Sequence, residues 1–182
     1  MRRYRKWREC LRRWLNAGEK KPLLNSSNGT VVGKPNHEVM EMVRQFVGEG
    51  RQTLLPVRGY SMRIFVEHER DKAILAPFDA ATLKRGDVVL TWVTEGYYVL
   101  HRVVNVEGDD LTLMGDGNIR GKEHCKRSDV LAKAIGFVRK GRQNPDMVTD
   151  WKWRIYSVFW LGLLPIRRWL LLLWRLKQRI LR

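Results

Sequence analysis

The rhythm of apolar and polar positions changes several times along the chain. In residues 2–15, Trp7, Cys10, Leu11 and Trp14 recur at i, i+3, i+4 and i+7 with arginines on the other faces. That spacing predicts a short amphipathic helix. Residues 22–36 are rich in Asn, Ser, Gly and Pro and read as a linker. A second helix is predicted from about His37 to Val47, with Val39, Val43, Phe46 and Val47 on its apolar side. Gly48 and Gly50 then stop it.

From Thr53 the period shortens to two, in short runs separated by turn residues. Leu54–Val57, Lys72–Ala76, Val88–Val93, Tyr97–Val106, Leu111–Met114 and Leu131–Val138 are the predicted strands. Glu95-Gly96 and Gly108-Asp109-Asp110 read as hairpin turns. The expected fold is therefore mainly β, an antiparallel core partly rolled into a sandwich or barrel. Amphipathic helices are expected at both ends.

After Asp150 the helical period returns. Ile166, Trp169, Leu170, Leu173 and Leu176 mark one face, and Arg168, Arg175, Arg179 and Arg182 another. The longest uncharged run, Ile155–Ile166, is twelve residues, short of the roughly 20 that a spanning helix needs. Pro165 and two arginines then interrupt it. This tail is expected to lie on a bilayer surface rather than to cross it. The divisions read from the pattern are residues 1–21 (basic helix), 22–36 (linker), 37–140 (a domain with its β core from about 53) and 141–182 (interfacial tail).

Charge sharpens that division. The net charge is +16, yet residues 22–150 are close to neutral. Residues 1–21 hold nine Lys/Arg against two Glu, and residues 151–182 hold eight Lys/Arg and no acid. Those two flanks also carry seven of the eight tryptophans. Cations with Trp and Leu suit an anionic membrane interface, where indoles sit between water and lipid. Nucleic acid is the competing target for a basic surface. The run Leu170–Leu173 with Trp174 favours the membrane, and no nucleic-acid partner is expected. Cys10 and Cys125 read as two reduced thiols.

Three segments carry candidate chemistry: Gly59-Tyr60-Ser61-Met62, Leu100-His101-Arg102-Val103-Val104 and Met114-Gly115-Asp116-Gly117-Asn118. Amide hydrolysis needs a nucleophile, a group to carry its proton and donors for the oxyanion. Ser61 is the candidate nucleophile, His101 its base, and Asp116 the carboxylate that orients the imidazole. Gly59, Tyr60 and Met62 are the candidate oxyanion and substrate contacts. His68 reads as part of a solvated charged loop and His37 as the start of a helix. His124-Cys125 lacks paired ligand spacing, so neither metal nor cofactor is expected. Lys72 and Lys84 are less suited as bases, because each would need a depressed pKa.

Taken together and in order, the Gly-x-Ser-Met box, Gly86-Asp87-Val88-Val89, His101-Arg102-Val103-Val104 and Gly115-Asp116-x-Asn118 resemble the type I signal peptidases. That superfamily includes the self-cleaving repressor peptidases. The resemblance runs from about Thr53 to Val138, and implies a coiled, mostly antiparallel β fold with Ser61 as nucleophile. A histidine in place of the usual bacterial lysine resembles the endoplasmic-reticulum type, with His101 as base and Asp116 as acidic partner. The chain differs from the family pattern at Ile64, where a proline is usual, and at Glu69-Arg70-Asp71, where Gly-Asp is common. Gly121 and Lys122 stand where the endoplasmic-reticulum type has a further acidic pair, with Glu123 nearby.

The function so expected is a serine endopeptidase that removes a leader or signal segment from a peptide or protein, by an acyl-enzyme route. No secretory signal or anchor is legible, so a peripheral position on the cytoplasmic membrane face is expected. Two alternatives stay open. One is a self-cleaving regulator of the same superfamily, although residues 1–50 show no helix-turn-helix pattern. The other is a degenerate, non-catalytic member that binds membrane or nucleic acid through its basic ends.

Overall fold

The computed structural model describes residues 36–180, apart from 95, 96, 119 and 143. The helix expected in residues 2–15, the linker up to residue 35 and the Glu95-Gly96 turn lie outside the described residues. The described residues fall in one compact unit.

Helix α1 (Asn36–Gly48) precedes strands β1 (Thr53–Pro56), β2 (Lys72–Ala76), β3 (Val88–Thr94), β4 (Tyr97–Glu107) and β5 (Asp110–Met114). Strands β6 (Glu123–Lys126), β7 (Val130–Val138) and β8 (Asp146–Met147) follow, then helices α2 (Trp151–Gly162) and α3 (Arg167–Ile180). The protein is mainly β. All strands pair antiparallel in the order β1-β2-β7-β3-β4-β5-β6, with β8 on β7. The strands whose side chains alternate most plainly fall within one or two residues of their expected places. Strands β6 and β8 were not expected, being four and two residues long and largely polar.

Alternation along the strands divides two cores. Val88 and Leu90 point into the one formed with Leu55, Leu75, Ala134 and Phe137, to which α1 contributes Met40 and Val43. Val89 points to the other, with Val99, Val103, Leu111, Leu113 and Cys125. Because the side-chain period of a strand is two, neighbouring residues on β4 serve different faces. His101 pairs with Val89 and Arg102 with Val88. The consecutive pair His101-Arg102 is thus split between two environments.

Helices α2 and α3 are part of this packing. Trp153, Ser157, Trp160 and Leu161 make a buried row on α2 at i, i+4, i+7 and i+8. The Trp153 ring stacks on Phe137 at 4.9 Å. On α3, Arg167 and Leu171 are buried. The tail read as interfacial from sequence therefore gives one face to the domain. Among the described residues no helix is long and apolar enough to cross a membrane.

Candidate functional site

Ser61 sits in the turn-rich segment between β1 and β2, which is closed by main-chain bonds at its base. Val57 N–H donates to Asp71 O (3.0 Å) and Glu69 N–H to Val57 O (2.8 Å). The Asp71 carboxylate takes the Glu67 N–H (2.9 Å) and two guanidinium bonds from Arg70 (2.8 and 2.7 Å). Burial alone would raise this carboxyl, but these bonds and the Arg70 and Arg139 charges outweigh it and hold it below its usual range.

The turn before the serine uses Gly59 at φ +88°, a left-handed conformation that a side chain would strain. That conformation lets Gly59 N–H donate to His68 Nδ1 at 3.0 Å. The His68 ring meets Tyr60 edge-on at 5.0 Å. His68 is thus half-buried and shapes the serine turn, where the sequence suggested a solvated loop. The Gly59 N–H is committed to it and is removed from the oxyanion donors. Met62 is only 2% exposed and belongs to the first core, so its side chain anchors the turn and does not face substrate. Tyr60 is exposed, with the Arg63 guanidinium 4.1 Å from its ring centroid.

The Gly115–Asn118 turn that ends β5 forms the other wall. Gly117 N–H donates to Ser61 O at 2.6 Å. A Cβ built on Gly115 would lie 2.9 Å from Ser61 Cβ and 2.5 Å from its carbonyl oxygen. A Cβ on Gly117 would lie 2.8 Å from the carbonyl oxygens of both Tyr60 and Arg63. The two glycines are what allow the serine segment to seat on this turn.

The β4–β5 register then relates Ser61 to His101. Arg102 pairs with Met114, so one step further Gly115 faces His101. Directly opposite positions of an antiparallel pair have Cβ atoms about 5 Å apart on one face. Ser61 packs where a Gly115 side chain would lie, on the side of this turn that the register, continued one step, directs towards His101. The His101 ring is buried, and its Nδ1 lies 2.9 Å from Glu123 Oε2. A carboxylate only accepts, so Nδ1 carries the proton and Nε2 is left as the basic nitrogen. Neither Nε2 nor the Ser61 hydroxyl bonds to another group among the described residues.

Asp116 departs from its expected place. Its carboxylate is fully buried and takes two bonds from Arg102, Nε to Oδ1 at 2.8 Å and Nη2 to Oδ2 at 2.7 Å. With both oxygens engaged by Arg102, which lies on the opposite face of β4 from His101, Asp116 does not orient the imidazole. The carboxylate that does so is Glu123. Arg102 also donates through Nη1 to Gly86 O (2.9 Å) and Ser157 Oγ (2.8 Å). Burial opposes its charge, but the Asp116 carboxylate prevails and raises its pKa. Arg167, the first residue of α3, donates through Nη2 to Gly115 O and Asn118 O, both at 3.0 Å. Two buried arginines on the α2–α3 side therefore hold the turn on which Ser61 rests.

Glu123, Arg167 and His68 were not assigned these roles from sequence. Glu123 had a signal in its proximity to the Gly-Asp-Gly-Asn box; the other two had none. His124 is exposed next to Cys125, whose thiol burial pushes above its usual range. Among the described residues no group of three His, Cys, Asp or Glu could hold a metal ion. No family model matches the chain, and no curated protein matches it either.

Proposed function

We propose that this chain is a serine endopeptidase of the signal-peptidase type, with Ser61 as nucleophile, His101 as general base and Glu123 as the residue that orients His101. The observation that carries the reading is Ser61 seated on Gly115, on the side of the turn that the register directs towards a buried imidazole whose far nitrogen is tied to the half-buried Glu123 carboxylate.

In this reaction His101 Nε2 takes the Ser61 hydroxyl proton as Oγ attacks the scissile carbonyl. The main-chain N–H groups of Ser61 and its neighbours Tyr60 and Met62 donate to no described group and are available to the oxyanion. Collapse breaks the C–N bond, and the imidazolium passes its proton to the departing amine. Water, deprotonated by the same nitrogen, releases the acyl group and restores the serine. The substrate is a peptide or protein carrying a leader or signal segment, met at the cytoplasmic face of a membrane.

The test compares wild type, Ser61→Ala and His101→Ala on a leader-like peptide with small residues before the scissile bond. Each substitution should lower kcat by about 10³-fold or more while leaving the thermal melt in place. Cleavage that survives Ser61→Ala refutes the assignment of the nucleophile. Folded wild-type protein that neither cleaves the peptide nor labels with a fluorophosphonate refutes the peptidase reading.

A further inference from the structure

Helix α2 is apolar on both sides. Its inner row is spent on the domain, while Trp151, Ile155, Val158 and Phe159 repeat the spacing i, i+4, i+7, i+8 on the outside. Val158 is 73% exposed and Phe159 64%. Four large apolar side chains in one solvent-facing row form a contiguous patch of the kind that marks an interaction surface. Helix α3 also exposes apolar side chains, Trp169, Leu170, Leu172 and Leu173, around buried Arg167 and Leu171.

The chemistry beside the α2 row selects its occupant. A cleft of about 410 Å³ runs between α2 and the start of β3; Val158 of the row lines it, and Arg154 stands beside both. Lys84, Arg85, Lys133 and Arg154 bring four cations to it against one carboxylate, Asp87. Lys133 already neutralises Asp87 at 2.8 Å. The acids nearest Trp151 are engaged as well: Asp146 accepts from Arg142 at 3.1 Å, and Asp150 from the Met147 N–H at 3.0 Å. Residues 151–182 contain no acid at all. An apolar row flanked by uncompensated cations matches the layering of an anionic bilayer, with acyl chains under phosphate. Extended nucleic acid would satisfy the cations and leave the row in water.

We propose that the outer face of α2 docks on an anionic membrane, its apolar row entering the acyl boundary and the Lys84–Arg85 cleft receiving a lipid phosphate. At about 18 Å for twelve residues, α2 lies in the interface plane and does not span it. This surface does not depend on the peptidase chemistry.

The experiment uses the full chain and vesicles of phosphatidylglycerol mixed with phosphatidylcholine, compared with phosphatidylcholine alone. Ile155→Ser/Phe159→Ser should weaken sedimentation with anionic vesicles about tenfold or more. Arg85→Ala/Arg154→Ala should weaken it roughly 25-fold, about fivefold per charge. All four positions are exposed, so the melts should be unchanged. The basic N-terminal residues can also attract vesicles, so a second readout is local. In a Cys10→Ser background, an environment-sensitive dye on Val158→Cys should shift to the blue on anionic vesicles, and the same dye on Asp109→Cys should not. Wild-type binding by both double variants, or no shift at 158, overturns the proposal. So does a shift at 158 on a DNA duplex but not on vesicles, which would make this a nucleic-acid face. Loss of a solution dimer in Ile155→Ser/Phe159→Ser would make it a self-interface and overturn the proposal equally.

Discussion

At the scale of single residues, the site depends on which of two carboxylates meets the imidazole and which meets the guanidinium. His101 and Arg102 are adjacent, yet the strand pleat sends His101 to Glu123 and Arg102 to Asp116. The two acids should therefore fail differently. Glu123→Gln keeps the shape but can present a donor to Nδ1, which misplaces the tautomer. Cleavage should fall by up to about 10⁴-fold, with an altered pH–rate profile and little change in stability. Asp116→Asn strips the buried Arg102 of its counter-charge and should cost about 3–5 kcal/mol in a denaturant melt. Should Asp116→Asn abolish activity with no loss of stability, and Glu123→Gln remain active, the assignment of the two acids would have to be exchanged.

Among the elements, α2 and α3 support a turn that lies far from them in sequence. Arg167 spans 52 residues to reach Gly115 O and 49 to reach Asn118 O. Burial pulls its pKa down, opposed by the nearby Asp116 charge. Arg167→Met removes both bonds and leaves two carbonyls short of a donor, a loss of about 1–3 kcal/mol. The turn beneath Ser61 should loosen, and a misplacement near 1 Å is enough to lower kcat about 10²-fold. KM should change little, and Arg167→Lys should recover part of the rate. A kcat unaffected by Arg167→Met would limit α3 to a role in folding.

Across the whole molecule, the β1–β2 segment, the β4–β6 strands and α2–α3 meet at one place, so loosening any of them is felt by the site. Asp71 offers a handle on the first. Its folded pKa is depressed below the unfolded value of about 3.9, so its contribution is complete above that pH and fades as pH falls through the folded value. Thermal melts from pH 5 down to 2 should lose stability faster for wild type than for Asp71→Asn, which starts lower. Parallel slopes for the two proteins would show that Asp71 carries no linked proton.

The alternation of apolar and polar positions was sufficient, by itself, to determine a mainly β core and to place α1 and six strands. Ser61 and His101 were proposed not by that alternation but by the resemblance of the ordered boxes surrounding them, which are local in sequence. The acid partner was not local. Asp116 stands in a conspicuous box, whereas Glu123 lies on a four-residue polar strand whose period is too short to read. Only the register, Arg102 against Met114 and Leu113 against Glu123, brings that carboxylate to the histidine. The tail follows the same rule. Its apolar content was legible, but α2 carries two equivalent rows, and composition does not distinguish the one that meets the sheet. Pairing across long sequence separations made both decisions, since burial is settled by which surfaces meet and not by which residues are neighbours in the chain.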